Sequence, residues 1–226
     1  MRFLSSHWQL LALTAVLFAL WHTLAVVPLK ILIVFLHEFA HAAAAWLTGG
    51  SVEQISLSPD QGGFTITRGG NRFAILSAGY LGSLLIGVVL LMLALRSDAD
   101  RLVTGALGLI LFLVTVFYVR DIFAATFCIA TGAGLLGMAR FLGHAPNDMA
   151  LRVIGLGSLI YVPFDIFDDT IARAGLPSDA HMLGAEFGGP TVLWGAIWLA
   201  LSLAVTFGCL RYILGRDTNL RFDRTT

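Results

Sequence analysis

His37 and His41 stand four residues apart, with Glu38 beside the first, in the run His-Glu-Phe-Ala-His. On a helix this spacing projects both imidazoles from one face. They can then share one Zn²⁺ at bonds of roughly 2.0–2.1 Å. Glu38 is placed to act as general base on a water that the ion activates. Such a short pattern recurs by chance, so its setting matters more. Ile31 to Leu36 precede it and Ala42 to Leu47 follow it, an apolar segment long enough to enter a bilayer. An acid at the centre of such a helix costs on the order of 2.5–3.5 kcal/mol by insertion scales, which makes function the default reading. The plainer alternative is a buried polar cluster that fastens two helices.

A zinc hydrolase site needs three protein ligands and an open position for water. The third ligand must come from elsewhere in the chain. His22 lies in the first apolar segment, His144 and His181 in polar connections, and Glu53 and Asp60 near a turn-rich stretch. Asp165, Asp168 and Asp169 share one helical face by their three- and four-residue spacing, just after Pro163. Pro163 removes a backbone hydrogen bond and loosens the helix there. Asp165 is the acid embedded deepest in a late apolar segment. At 1.5 Å per residue it reaches a depth similar to that of His37 and His41. Asp165 is therefore the expected third ligand, with Asp168 and then Asp169 in reserve.

The elements that must position these groups belong in lipid. Hydrophobic residues make up 58% of the 226 and charged residues 12%, with a mean hydropathy of +0.85. Ordinary soluble domains carry about 25% charged residues, so this chain cannot cover a water-facing surface. The fold expected is an all-α polytopic membrane protein, one domain over residues 1–226, with about seven transmembrane helices. The segments are near 8–28, 31–47, 73–95, 102–119, 122–142, 153–172 and 191–210. Residues 140–152 and 173–189 read as polar loops, and 211–226 as an exposed basic tail. Between the second and third segments, Ile55, Leu57, Phe64 and Ile66 alternate with polar residues around a Pro59–Gly63 turn. This is a β-hairpin signature over 51–72, placed at the interface or facing a cavity because lipid tolerates no open sheet edge.

Gly79, Ser83 and Gly87 recur every fourth residue, a bare face for close helix packing. Cys128 and Cys209 lie far apart in apolar runs and read as packing residues. A net charge of zero argues against a nucleic-acid partner. If the segments alternate across the bilayer, Arg2, Arg68, Arg72, Arg120 and Arg173 lie on one side and the other nine basic residues on the opposite one. The positive-inside tendency then puts the tail in the cytoplasm and the hairpin outside, for a multi-pass protein of the cell membrane.

The HExxH helix, the Thr-Gly-Gly after it, the hairpin, Ser77-Ala78-Gly79-Tyr80-Leu81-Gly82-Ser83 and a late embedded acid together resemble the site-2 protease family of intramembrane zinc metallopeptidases. The likeness is to its short branch without PDZ or accessory domains. It is strongest over 31–95 and returns over about 159–198, in Phe-Asp-Ile-Phe-Asp-Asp, Ser-Asp-Ala and the late Trp-rich helix. The resemblance implies a membrane-buried zinc held by two His and one Asp, Glu38 as base, and transmembrane proteins as substrates. It also implies a hairpin that presents the substrate strand by β-addition. The chain departs from the larger members in two places. It has no Asp-Gly pair, and Tyr80 and Ser83 stand near the positions of their Pro and Asn. Two further classes remain open beside a metalloendopeptidase. One is a non-catalytic partner or regulator that keeps the fold. The other is a small metal or proton transporter using His22, His37, His41 and Asp165.

Overall fold

The computed structural model describes residues 2–220. Eight α-helices and one hairpin follow in the order α1 Arg2–Leu20, α2 Val27–Leu47, β1 Ser51–Leu57, β2 Gly63–Arg68, α3 Arg72–Arg96, α4 Asp100–Tyr118, α5 Ile122–Phe141, α6 His144–Phe167, α7 Asp179–Phe187 and α8 Thr191–Ile213. A 3₁₀ turn, Leu24–Val26, leads into α2, and a π turn, Asp168–Ala172, extends α6. Seven helical segments among the described residues are long and apolar enough to cross a membrane. The protein is an all-α polytopic membrane protein with one small two-stranded antiparallel sheet.

Local chemistry sets the helix limits. Pro28 sits in the first turn of α2, where no intrahelical N–H is needed, so the break falls at 21–23 rather than after it. Asn71 caps α3 by accepting from the Ala74 N–H at 3.0 Å. Arg120 and Asp121, adjacent at a tight turn, serve opposite helix ends. Arg120 donates to the Phe117 and Val119 carbonyls that close α4, and Asp121 accepts from the Ala124 N–H that begins α5.

The polar stretch 140–152 proves mostly helical, because its polar groups satisfy one another. Asn147 donates to the Met138, Leu142 and Gly143 carbonyls at the end of α5, and Asp148 pairs with Arg152 one turn on. Pro146 falls in the first turn of α6 and costs no bond. The stretch 173–189 likewise contains α7, nine residues long and capped by Ser178, which accepts from the His181 N–H.

The glycine face of α3 packs as its spacing predicts. Gly87 abuts Ser158 of α6, and Ser83 is fully buried. In α5 only Gly132 makes a close approach, to Gly108 and Phe112 of α4, while Gly134 and Gly137 face open space. Cys128 and Cys209 are free and buried.

The two ends of the described chain meet. The Thr218 N–H donates to the Ser6 carbonyl at 3.0 Å, and its hydroxyl lies 2.9 Å from Nδ1 of His7. The start of α1 and the chain beyond α8 are thus at the same end of the bundle. Strict alternation over seven spans would separate them. Leu29 near the start of α2 packs on Gly157, midway along α6, and Thr48 after its end accepts from the Asn71 N–H before α3. Residues 217–220, expected in an exposed tail, instead dock on α1, with Asn219 donating to the Ser5 carbonyl and Leu220 buried. The rest of that expected tail, 221–226, lies outside the described residues.

Candidate metal centre

α2 buries the residues from Ile31 to Leu36 and presents His37, Glu38 and His41 to the interior. The two imidazoles point the same way, their Nε2 atoms 3.0 Å apart and their ring centroids 4.7 Å apart. Nδ1 of His41 lies 2.7 Å from the Ile75 carbonyl of α3 and donates to it, which leaves the Nε2 lone pair free to bind a metal. Room for both rings comes from Gly79. A Cβ there would sit 2.6 Å from Nε2 of His41 and closer still to His37. The glycine face of α3 therefore has a chemical role as well as a packing one. Tyr80 packs edge-on against His37, at 4.7 Å between centroids, and donates its hydroxyl to Asp169 at 2.9 Å.

The carboxylate that meets the two imidazoles belongs to Asp179. Its Oδ2 lies 3.0 Å from Nε2 of His37 and 3.1 Å from Nε2 of His41. His37, His41 and Asp179 form a group whose ligand atoms all lie within 4.8 Å of one another. Tetrahedral bonds of roughly 2.0–2.1 Å put donor atoms about 3.3–3.4 Å apart. This triad fits such an ion after opening by a few tenths of an ångström.

Asp165, the acid chosen from the sequence, is not in this group. It lines the same cavity, hydrogen-bonds to Tyr161 and also borders an adjoining cavity of about 480 Å³ with Trp21, His22 and Lys30. Asp169 pairs with Tyr80 and Arg173, and the exposed Asp168 with Arg173. Among the other candidates, His22 and Asp60 are exposed at the rim, Glu53 pairs with Arg68, His181 faces Thr191, and His144 lies at the far end of α6. Depth along a spanning helix does not by itself select a ligand. After the π turn the chain folds back into the bundle, and the N-terminus of α7 brings Asp179 to the imidazoles. The sequence carried that signal in Ser178-Asp179, a cap residue followed by a first-turn acid. It was missed because a nine-residue helix between two spans reads as loop.

The hairpin forms the remaining wall. β1 and β2 pair with Ile55 opposite Thr65 and a bulge between Val52 and Gln54, and Ile55 also bridges to Val119. Ile55 and Leu57 are buried as the alternation predicts. On β2 the faces are reversed: Phe64 and Ile66 point outward and are exposed, while Thr65 points at α2. In a bilayer the outward face tolerates apolar side chains, so alternation alone does not say which face is inside. Thr65 donates to Oε2 of Glu38 at 2.7 Å. A Cβ on Gly63 would lie 2.8 Å from Oε1, so Glu38 fits against bare backbone there. Glu38 is 4% exposed and borders a cavity of about 400 Å³ shared with the triad, the hairpin turn, Arg72 and Arg173.

Two imidazoles, one carboxylate and an adjacent second carboxylate can hold a divalent cation and move a proton beside it. The family model described as Peptidase M50B-like matches residues 10–209 of the chain. No curated protein and no solved structure matches it.

Proposed function

Because the chain belongs to the M50B-like peptidases of the site-2 protease family, we propose that it is an intramembrane zinc metalloendopeptidase, with His37, His41 and Asp179 as ligands and Glu38 as general base. One observation carries this reading. Nε2 of His37, Nε2 of His41 and Oδ2 of Asp179 converge at 3.0–3.1 Å beside a buried glutamate, on a cavity of about 400 Å³.

Zinc bound there supplies Lewis-acid polarisation of the scissile carbonyl and lowers the pKa of water toward about 7. Glu38 accepts the proton of the attacking water and delivers it to the leaving amine. Thr65 fixes the rotamer of Glu38 by donating to Oε2, leaving Oε1 toward the bare Gly63 backbone. The Ile75 carbonyl fixes the tautomer of His41. The substrate class is a transmembrane segment of a membrane protein. Its peptide bonds are protected by helical hydrogen bonds until it unwinds locally, which favours segments with Gly or Pro. β2, whose second edge carries no strand among the described residues, suits an unwound segment added in extended form.

The test is cleavage of a reporter transmembrane substrate by the purified chain in proteoliposomes. Wild type should cut and Glu38→Gln should not, with equal zinc in both. Equal cutting by both would dismiss Glu38 as base. No cutting by a zinc-loaded wild type, over a panel of Gly- or Pro-containing segments, would favour the non-catalytic reading.

A further inference from the structure

At the end of the bundle away from the hairpin, Asp100 begins α4 and His144 begins α6, with Asp148 and Arg152 one and two turns further along α6. Asp148 is about 30 Å along α6 and its π turn from Asp169. Asp100 and Asp148 are each 1% exposed, far deeper than carboxylates usually lie. Nδ1 of His144 is 2.6 Å from Oδ2 of Asp100, and Oδ1 of Asp100 has no side-chain hydrogen-bond partner among the described residues. The hydroxyl of Thr104, one turn along α4 and fully buried, is unpartnered too. One ligand atom each from Asp100, His144 and Asp148 lies within 4.8 Å of the other two.

Arg152 is the neighbouring cation. Its Nε is 2.6 Å from Oδ2 of Asp148, its Nη2 donates to Oδ1 at 3.2 Å, and its Nη1 donates to the Thr218 carbonyl. A carboxylate has about four lone-pair sites, so Asp148 can serve Arg152 and a metal together. Two buried carboxylates share one paired guanidinium, an arrangement that favours a further cation between them. A cavity of about 280 Å³ reaches the cluster along His144, Asp148 and Arg152, giving an ion a path from solvent.

We propose that Asp100, His144 and Asp148 form a second metal site, which takes a divalent transition-metal cation and pins the start of α4 to the start of α6. One imidazole and two carboxylates suit Zn²⁺, Mn²⁺ or Fe²⁺. The charged group paired with Asp148 is Arg152, a donor that cannot accept a proton from water, which suits a structural role for the site. Its existence does not depend on the hydrolytic reading of the other end.

The full chain, purified in detergent, is loaded with Zn²⁺ and in parallel with Mn²⁺, desalted, and analysed for metal per chain. The result expected is two zinc ions in wild type, one in His37→Ala/His41→Ala and one in Asp100→Asn/His144→Gln. A wild type with one ion, lost entirely in His37→Ala/His41→Ala for both metals, would overturn the proposal and leave a plain His144–Asp100 ion pair. An unchanged count in Asp100→Asn/His144→Gln would overturn it as well. If that variant does not fold, the His37→Ala/His41→Ala protein decides alone, because one retained ion supports the site and none removes it. A single wild-type ion that survives His37→Ala/His41→Ala but not Asp100→Asn/His144→Gln would support this site and remove the metal from the hairpin end.

Discussion

The two ends of α6 each meet a cluster of imidazoles and carboxylates, two histidines with one aspartate at the hairpin end and one histidine with two aspartates at the other. At the hairpin end, His37, His41 and Asp179 converge beside Glu38 and a cavity of about 400 Å³. At the far end, Asp100, His144 and Asp148 converge beside Arg152, which is itself anchored to the Thr218 carbonyl. A carboxylate in the neighbouring position can carry a proton, whereas a guanidinium can only neutralise charge. The ligand types are nearly the same at both ends. On the two proposals made above, the neighbour is what separates chemistry from fastening.

The packing around each cluster follows the same division. The hairpin end is assembled from pieces that leave space: Gly79 under the imidazoles, Gly63 against Glu38, a π turn, and a short helix that returns Asp179 into the bundle. π turns of this kind are frequently found at functional sites. The far end is tied together by side chains, with a smaller cavity of about 280 Å³ reaching its cluster. Asn147 caps α5, Arg152 spans α6 and the chain beyond α8, and residues 217–220 cover α1.

The largest effect that separates the ends should come from Glu38→Gln. Removing a general base costs typically 10²–10⁴-fold in rate. Zinc content and melting temperature should stay at wild-type values, which a cleavage assay and a thermal melt check together. Asp179→Asn should lower both zinc retention and cleavage by at least about 10²-fold, since even indirect partners of a metal are worth 10–100-fold. Asp165→Asn should change each much less. Arg152→Ala should act in the other direction. It leaves Asp148 buried without its partner and should cost about 3–5 kcal/mol of stability, read as a lowered melting temperature, with cleavage per folded molecule unchanged. Smallest of all, Thr65→Val removes one hydrogen bond to a charged group, about 1.5–3 kcal/mol. It should slow cleavage by about 10- to 100-fold with zinc content unaltered and a modestly lowered melting temperature. If Arg152→Ala abolished cleavage in folded protein, the division between the ends would fail.

Much of the hairpin end was legible in the sequence because its signals are local. His37, Glu38 and His41 announce themselves by spacing, the hairpin by alternation around Pro59–Gly63, and α3 by its glycine period. What was not legible depends on how the chain returns to itself. Asp179 lies in a stretch with the composition of a loop, and only the return of α7 into the bundle gives it a partner. The two ends of the chain read as lying on opposite sides, and only the bond from the Thr218 N–H to the Ser6 carbonyl brings them together. Asp148 and Arg152 read as loop charges because their four-residue pairing matters only when both are buried.

The central claim is that Asp179, and not Asp165, completes the metal centre. Zinc K-edge X-ray absorption on Asp179→Cys and Asp165→Cys tests it most directly, in the Asp100→Asn/His144→Gln background so that one zinc population remains. A thiolate ligand gives a sulfur scatterer at about 2.3 Å, distinct from nitrogen or oxygen at about 2.0–2.1 Å. Sulfur should appear in the Asp179→Cys spectrum and be absent from that of Asp165→Cys. The reverse pair of spectra would contradict the account.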